Sequence, residues 1–395
     1  MLSACPPLTQ DEELHWLALL LVPGLGTRRA SQLVDRLRTP QAIFRASRSE
    51  LEGHGLPGSV AQSIASGCTF DEAVEQQQKM MEFGAAAVPI GDPRYPPKLR
   101  DIFDPPVILF AKGRIELLQT IMIAVVGTRR PTTYGTAATE RLAGELANAG
   151  LTIVSGMARG IDTAAHRSAL SGGGNTIAVF GCGVDLIYPA ENRKLAEEIG
   201  EKGLLVSEFP MSAPPYPQNF PIRNRIVSGM SAGVLVVEGA QYSGSGITAK
   251  LAADQGREVF AVPGNITSKM SWAPNLLIKQ GAKLVQEWND VVVELEAEDR
   301  RRLIDEGRNR LLANGFDCDE SPGPSPASLP SGPAAELGRK ILATVKVDAG
   351  IHLDRLLEAL EGHSPSEIMA VLFELEMLGL VRQLPGKNYV KVWAE

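Results

Sequence analysis

The stretch Ile121-Met-Ile-Ala-Val-Val-Gly-Thr-Arg-Arg130 decides the fold, because an apolar, strand-like run stops at a loop of glycine, threonine and arginine. The pattern recurs: Leu151–Val154 stops at Ser155–Gly160, and Thr176–Phe180 stops at Gly181-Cys-Gly183. Strand-like and helix-like segments alternate up to Leu284, which is typical of a doubly wound sheet. Right-handed crossovers place the carboxyl ends of parallel strands at one edge. We therefore predict a Rossmann-like, mostly parallel α/β domain whose glycine-bearing loops converge on a phosphate-containing ligand.

Length and composition indicate a soluble, multi-domain, cytoplasmic protein. The chain has 395 residues, 44% of them hydrophobic, which is enough for one large core and smaller satellites. Its most apolar stretch, Trp16–Val22, is far shorter than the roughly 20 residues that cross a membrane. The N-terminus lacks the features of an export signal, and the four cysteines lack metal-site spacing. We expect no membrane association and no metal.

Four parts follow one another along the predicted chain. Residues 1–72 form a small helical domain of helix-hairpin-helix or SAM-like type, residues 73–296 the extended sheet domain, residues 297–333 a helical tail with a Pro/Ser/Gly-rich linker, and residues 334–395 a winged-helix domain. In the first part, the glycines of Val22–Val34 have two interpretations. They direct backbone N–H groups at a phosphate, or they supply the positive φ of an ordinary turn.

The C-terminal part reads as helix, turn, helix and a strand–glycine–strand wing. Its second helix opens with a capping box in which Ser364 is the N-cap and Glu367 lies three residues later. In winged-helix proteins this helix normally enters a DNA major groove. Here it carries Glu367, Glu374 and Glu376, which would repel phosphates. We therefore favour protein contact or a structural role over duplex reading.

The central domain lacks the signatures of nucleotide-dependent catalysis. No G-x-G-x-x-G follows the first strand, no acidic residue ends the next one, and no P-loop occurs. Asp162 and His166 lie four residues apart and form either an acid pair or a helix-start carboxylate beside a packed imidazole. Glu208 and Glu238 each end a strand, where a glutamate either polarises a water or bonds a ribose hydroxyl, or instead orders adjacent backbone N–H groups. We predict no cofactor and no catalytic residue.

A more specific signal lies in Pro214–Ser231, where Phe220 is followed by Arg223-Asn224-Arg225 in the expected first turn of a helix. Cations are disfavoured at a helix N-terminus unless they meet an anion there. Guanidinium groups for phosphates and a ring for base stacking are what single-stranded nucleic acid requires. Alternatively, Phe220 fills the core and one arginine pairs with a strand-end glutamate, in which case Arg225 is structural and Arg223 faces the ligand.

The formal charge of −7 argues at first against nucleic-acid binding. Binding depends, however, on the local field over about one Debye length, roughly 8–10 Å in physiological salt. Much of the acid lies beyond the sheet, between Glu294 and Glu320, whereas six basic residues lie in or beside the converging loops. These are Arg129, Arg130, Arg159, Arg223, Arg225 and Lys250.

Seven motifs, in order, resemble the DNA-processing protein A family, also called Smf. They are Gly-Thr-Arg at 127–129, Ser-Gly-Met-Ala-Arg-Gly-Ile-Asp-Thr-Ala-Ala-His at 155–166, Gly-Cys-Gly-Val-Asp-Leu-Ile-Tyr-Pro-Ala-Glu-Asn at 181–192, Gly-Leu-Leu-Val-Ser-Glu at 203–208, Phe-Pro-Ile-Arg-Asn-Arg-Ile-Val-Ser-Gly at 220–229, Ser-Gly-Ser-Gly-Ile-Thr-Ala at 243–249 and Gly-Arg-Glu-Val-Phe-Ala-Val-Pro-Gly at 256–264. The resemblance covers roughly residues 85–285. Two departures are Glu238-Gly239, where the family commonly has Glu-Ala, and Ser271-Trp-Ala-Pro-Asn275, in which Trp272 either fills a gap or adds a stacking surface.

The resemblance implies a nonenzymatic, homodimeric protein that binds single-stranded DNA, protects incoming DNA in natural transformation and helps to load the RecA recombinase. With the strand-end loops, it gives the predicted DNA-binding residues: Gly127, Thr128, Arg129, Ser155, Gly156, Arg159, Phe220, Arg223, Asn224, Arg225, Ser243, Gly244, Ser245 and Lys250. One alternative is a nucleotide or nucleotide-sugar processing enzyme that uses the same edge with a strand-end glutamate. Another is that the N-terminal hairpin or the C-terminal domain shares the DNA contact.

Overall fold

The structure is a computed structural model that describes residues 8–313, 333–346, 350–360, 362–377, 380–384 and 386–391. The chain divides into two compact units, Met1–Gln286 and Glu287–Glu395. Residues 321–332, which make up most of the predicted linker, lie outside the described residues. No helix in the described ranges is both long and apolar enough to cross a bilayer.

The first unit begins with five short helices whose buried residues join the hydrophobic core of the sheet. They are α1 (Gln10–Leu20), α2 (Thr27–Leu37), α3 (Pro40–Arg45), α4 (Arg48–Gly53) and α5 (Gly58–Ser66). Leu17, Ile43 and Ile64 are fully buried between them. The turn between α1 and α2 contains Gly24 and Gly26, whose φ angles of +76° and +66° favour glycine. The helical hairpin predicted at Val22–Val34 is therefore present.

A mixed sheet forms the centre of this unit, and among the described residues it has nine strands. They are β1 (Ala86–Pro89), β2 (Ile108–Gly113), β3 (Met122–Val126), β4 (Thr152–Ser155), β5 (Thr176–Phe180), β6 (Leu204–Ser207), β7 (Gly233–Val236), β8 (Glu258–Ala261) and β9 (Lys283–Leu284). Their order is β1-β2-β6-β5-β4-β3-β7-β8-β9. The strands from β6 to β9 are parallel neighbours, whereas β2 pairs antiparallel with β6 and with β1. The predicted doubly wound, mostly parallel sheet is confirmed.

Helices join and cover the strands. They are α6 (Phe70–Phe83), α7 (Pro97–Arg100), α8 (Thr133–Asn148), α9 (Ile161–Ser171), α10 (Arg193–Lys202), α11 (Asn219–Gly229), α12 (Gly244–Asp254) and α13 (Trp272–Lys279). Every residue of β3, β4 and β5 is buried, as expected for strands covered on both faces. From β3 the chain winds through β4, β5 and β6 to one side, and through β7 to the other. This reversal places the topological switch point between β3 and β7, where such sheets bind ligands.

The second unit contains α14 (Asn289–Val292), α15 (Ala297–Ala313), α16 (Pro333–Thr344), β10 (Ile351–His352), α17 (Leu353–Ala359), α18 (Pro365–Met377), β11 (Val381–Leu384) and β12 (Asn388–Lys391). Leu356, Ile368 and Leu375 are buried in its core. The capping box at the start of α18 is present, since the Ser364 amide and hydroxyl donate to Glu367 Oε2. The predicted winged helix is confirmed; the side chain of Glu374 lies outside the described residues.

Candidate nucleic-acid interface

A cavity of about 690 Å³ opens at the switch point, beyond the carboxyl ends of β3 and β4. The strand-end loops, α11 and the start of α12 together line it. Ten predicted DNA-binding residues are among the lining residues: Gly127, Thr128, Arg129, Gly156, Phe220, Arg223, Asn224, Ser243, Gly244 and Ser245. Residues from four separate parts of the sequence therefore meet at one place.

Arg129 presents an exposed cation to this cavity. The loop that carries it is fixed, because the Thr128 amide donates to Glu238 O at 2.8 Å and the Ile161 amide donates to Thr128 O at 3.2 Å. The Arg129 guanidinium carbon lies 5.9 Å from the centroid of the Phe220 ring. Among the described residues Arg129 forms no ion pair, so its charge is available to a phosphate.

Two aromatic rings form the wall beside Arg129. The ring centroids of Tyr188 and Phe220 lie 5.4 Å apart, with an angle of 37° between the planes. Phe220 fits closely over Gly181, where an added Cβ would lie 2.9 Å from its Cδ1. The Tyr188 residue is 45% exposed and lines the cavity. Tyr188 is not among the residues predicted from the sequence, although it lies in the Gly181–Asn192 motif.

Arg223 has a different environment, because its residue is only 4% exposed. Its Nη1 donates to the carbonyls of Gly156, at 2.6 Å, and of Val179. The Asp162 carboxylate lies near this guanidinium and accepts the amides of Gly156 at 3.1 Å and Ala158 at 3.3 Å. Burial raises the pKa of Asp162, while the Arg223 charge and these amides oppose the rise. Arg223 and Asp162 therefore fix the second strand-end loop under the cavity.

The prediction that Arg223 and Arg225 lie in the first turn of their helix is wrong. The helix α11 begins at Asn219, which places both arginines in its second turn. Pro221 is the third helical residue and is tolerated there because first-turn N–H groups have no intrahelical acceptor. The helix dipole therefore does not explain these cations, and the strand-end carbonyls hold Arg223 instead.

Arg225 points away from the cavity lining. Its Nη2 pairs with Glu208, and its Nε lies 3.1 Å from Asp104 Oδ2. The side chains of Arg225 and Glu208 are 8% and 7% exposed. Burial raises the pKa of Glu208 and nearby Asp104 adds to this, while Arg225 opposes it. One alternative expected from the sequence was that an arginine of this segment pairs with a strand-end glutamate, and Arg225 does so. Arg225 therefore does not lie at the predicted site.

Three other predicted residues also lie outside this cavity. Ser155 is fully buried, and its hydroxyl donates to Val125 O at 2.7 Å. Arg159 is exposed, pairs with Glu191, and lines a small recess of about 40 Å³ beside Arg129. Lys250 lines a separate hollow between α12 and α13.

The start of α12 contributes backbone donors. Its N-cap, Ser243, makes no side-chain bond to a backbone N–H group, and its hydroxyl lies 2.8 Å from that of Ser245. First-turn N–H groups at Gly244 and Ser245, which line the cavity, are therefore left without a side-chain cap. Uncapped N–H groups of this kind are typical anion-binding groups.

The carboxylates and the histidine at the strand ends have structural partners. Glu238 accepts the Thr132 amide at 2.9 Å and the Thr132 hydroxyl at 2.6 Å, one on each oxygen. His166 Nδ1 lies 2.6 Å from Thr176 Oγ1, and burial followed by the Arg223 charge lowers its pKa to about 3. Asp162 is occupied by backbone amides, so these groups order loops in the structure.

Comparison with known proteins identifies the family of this chain. A family profile for DNA recombination-mediator protein A matches residues 86–296, and one for the DprA winged helix domain matches residues 324–387. Protein Smf of Synechocystis sp. is 34% identical over 404 residues, covering 97% of this chain and 99% of that protein. DNA processing protein DprA of Bacillus subtilis is 45% identical over 215 residues, covering 54% of this chain and 72% of that protein.

Among solved structures, DNA processing protein A of Streptococcus pneumoniae is 35% identical in sequence with a TM-score of 0.65. The match covers 74% of this chain and 99% of that one. The family profile spans the sheet domain and its strand-end loops, and the Synechocystis relative matches almost end to end. This chain belongs to the DNA recombination-mediator protein A family, the DNA-processing proteins that include Smf and DprA.

Proposed function

We propose that this protein is a single-stranded DNA-binding recombination mediator and that the switch-point cavity holds the strand. The observation that carries the proposal is the exposed Arg129 guanidinium, which has no ion-pair partner within the described residues and lies beside the ring pair of Tyr188 and Phe220. A phosphate-binding cation therefore lies beside a surface on which bases can stack. Such a combination is typical of proteins that bind single strands with little sequence preference.

Each part of the cavity has a role in this proposal. Arg129 and the first-turn amides of α12 bind phosphates, and the rings of Tyr188 and Phe220 stack bases, a contact worth about 1–3 kcal/mol per base. Arg223 holds the floor of the cavity through Gly156 O. The net charge of −7 does not oppose this, because the exposed Arg129 and Arg130 lie together at the cavity mouth.

The wider role is carried over from family resemblance. We propose that the protein acts in the cytoplasm, protects incoming DNA in natural transformation, and assists loading of the RecA recombinase. We also propose a homodimer. Its support is an apolar hollow of about 720 Å³ between α12 and α13, which includes Lys250 and the exposed Tyr242, Ile247 and Trp272. The edge strand β9 lies nearby with both residues exposed, and exposed edges favour association.

We propose a nonenzymatic role. The alternative, a nucleotide-processing enzyme, requires a strand-end glutamate that reaches its substrate. Glu238 is 2% exposed, and both its oxygens accept hydrogen bonds from Thr132. Glu208 is paired with Arg225. Neither glutamate lines the switch-point cavity, which supports a nonenzymatic role.

A titration of full-length protein with labelled single-stranded DNA at several salt concentrations tests the proposal. Arg129→Ala should weaken binding and reduce the salt slope by somewhat under one unit, since single strands give about 0.7 per phosphate neutralised. Arg141→Ala removes the same charge from an exposed face of α8, outside the cavity lining, and should bind like the wild type. Equal affinity of wild type and a folded Arg129→Ala would refute this site.

A second arm of the experiment addresses the enzyme alternative. Incubation with nucleoside monophosphates should release no base, from the wild type or from Glu238→Gln. Base release that disappears in Glu238→Gln would instead support the enzyme. Tight binding of oligonucleotides without binding of mononucleotides favours the proposed mediator.

A further inference from the structure

Phe103 is an exposed aromatic residue outside the switch-point cavity. It lies between α7 and β2 and is 72% exposed. The Arg28 guanidinium carbon lies 3.9 Å from its ring centroid, close enough for cation–π stacking. Single exposed apolar residues are common and need no explanation. A guanidinium stacked on such a ring adds a phosphate-binding group to a base-stacking surface.

Arg28 comes from the helical hairpin that the cavity does not use. It is the second residue of α2, directly after the glycine turn whose Gly26 supplies no side-chain cap. The first-turn N–H groups of α2 therefore lie at the same end as Arg28 and the exposed Arg29. Within the described residues Arg28 and Arg29 form no ion pair, so both retain their charge for a ligand.

The loop that carries Phe103 packs on α11, the helix that also lines the cavity. Next to Phe103, Asp104 contacts Arg225 of α11 at 3.1 Å, whereas the adjacent Asn224 lines the cavity. Ile102 lies 3.0 Å from the position that a Cβ at Gly229 would occupy. The two surfaces thus contact different faces of one helix, and a helix with its side chains is about 10–12 Å across.

We propose that single-stranded DNA leaving the cavity crosses α11 and makes a second contact with Phe103 and Arg28. This inference rests on the proposed function and extends it to strands longer than the cavity holds. Unpaired bases stack on the exposed part of the Phe103 ring, and phosphates of the DNA backbone bind Arg28 and the first-turn N–H groups of α2. A duplex has its base faces covered, so it would use the arginines without the ring.

Binding of labelled oligothymidylates of about 6 and about 20 nucleotides tests this, since single-strand modules cover ~4–16 nucleotides. In full-length protein, Phe103→Ala should weaken binding of the long strand by about five-fold or more, the equivalent of about 1 kcal/mol, and leave the short strand unchanged. Arg28→Ala should do the same with a smaller salt slope. Phe103→Trp should retain long-strand affinity. Met81→Ala, which truncates another exposed apolar residue, should have no effect on either length.

The outcomes separate this inference from the function on which it rests. Wild-type affinity of Phe103→Ala for the long strand overturns the second contact, and so does an equal loss for both lengths. A loss confined to duplex DNA overturns it in favour of a duplex-binding hairpin. Failure of the wild type to bind either single strand overturns the proposed function itself, and the inference with it.

Discussion

The guanidinium group of Arg223 occupies the space that a side chain at Gly156 would need. A Cβ built on Gly156 would lie 2.5 Å from Arg223 Nη2, while the Gly156 carbonyl accepts a bond from Nη1 at 2.6 Å. The second strand-end loop can therefore approach α11 only because residue 156 has no side chain. The shape of the cavity floor therefore depends on glycine at position 156.

Gly156→Ala should consequently disturb both stability and binding. The methyl group must displace Arg223 or the loop, and overpacking of this kind costs typically 1–3 kcal/mol. We expect urea denaturation to show that loss and anisotropy titrations to show weaker binding of single-stranded DNA. Gly53→Ala, at the end of α4 and outside the cavity lining, is the matched control, since nothing lies within 4 Å of its Cβ position. Wild-type stability and affinity in Gly156→Ala would contradict the described contact.

Arg225→Ala should lower stability more than DNA affinity, whereas Arg129→Ala should lower DNA affinity more than stability. Removal of Arg225 leaves Glu208 buried without its ion-pair partner, and breaking such a pair typically costs about 3–5 kcal/mol. We expect a lower free energy of unfolding but near-normal DNA affinity for the folded fraction at low temperature. The double variant Arg225→Leu, Glu208→Leu should recover stability. Normal stability with lost DNA affinity would return Arg225 to the binding site.

Tyr188 lines the cavity but was not among the site residues predicted from the sequence motifs. Tyr188→Ala should weaken binding of single-stranded DNA by roughly 1–3 kcal/mol, the range for one stacked base, because the ring faces the cavity beside Phe220. Tyr188→Phe keeps the ring and should bind nearly as the wild type does. Titrations with the same oligonucleotide measure both. If removal of the ring changes nothing, Tyr188 only supports Phe220.

The sequence was sufficient for the fold and for most of the cavity lining, because glycine loops at strand ends are local signals. The parallel order then follows from right-handed crossovers. The sequence did not show the direction in which the side chains of Arg223 and Arg225 leave their helix, because this direction turns by about 100° per residue and depends on where the helix begins. α11 begins at Asn219, two residues before Pro221, because a first-turn proline removes no intrahelical hydrogen bond, and both arginines therefore lie one turn later than expected.

Lys250 and Tyr188 show two further limits. Lys250 lies six residues beyond the start of α12, about 9 Å along the helix axis, so proximity in sequence to Ser245 did not place it at the cavity. Tyr188 follows a loop without regular structure, whose path depends on tertiary contacts. Trp272, which sequence alone left undecided, is 42% exposed and lines the apolar hollow, so it does not fill the core.

The buried imidazole of His166 makes the stability of the protein depend on pH. Its pKa is about 3 in the folded protein, against about 6.5 in an unfolded chain. Between these values the unfolded state binds more protons, so the contribution of His166 makes stability fall as pH falls. From pH 7.5 to pH 5.5 this contribution is a loss of about 1.4 kcal/mol.

Other buried groups act in the opposite direction, so the wild type must be compared with a variant. Burial raises the pKa of Asp162 and Glu208, and a raised carboxyl pKa makes stability rise as pH falls. His166→Gln retains both carboxyls and a donor for Thr176. Urea denaturation of both proteins at pH 7.5 and 5.5 should show that the wild type loses about 1.4 kcal/mol more than the variant over this interval. The same pH dependence in both proteins would mean that His166 is able to take up its proton in the folded state, contrary to its full burial beside Arg223.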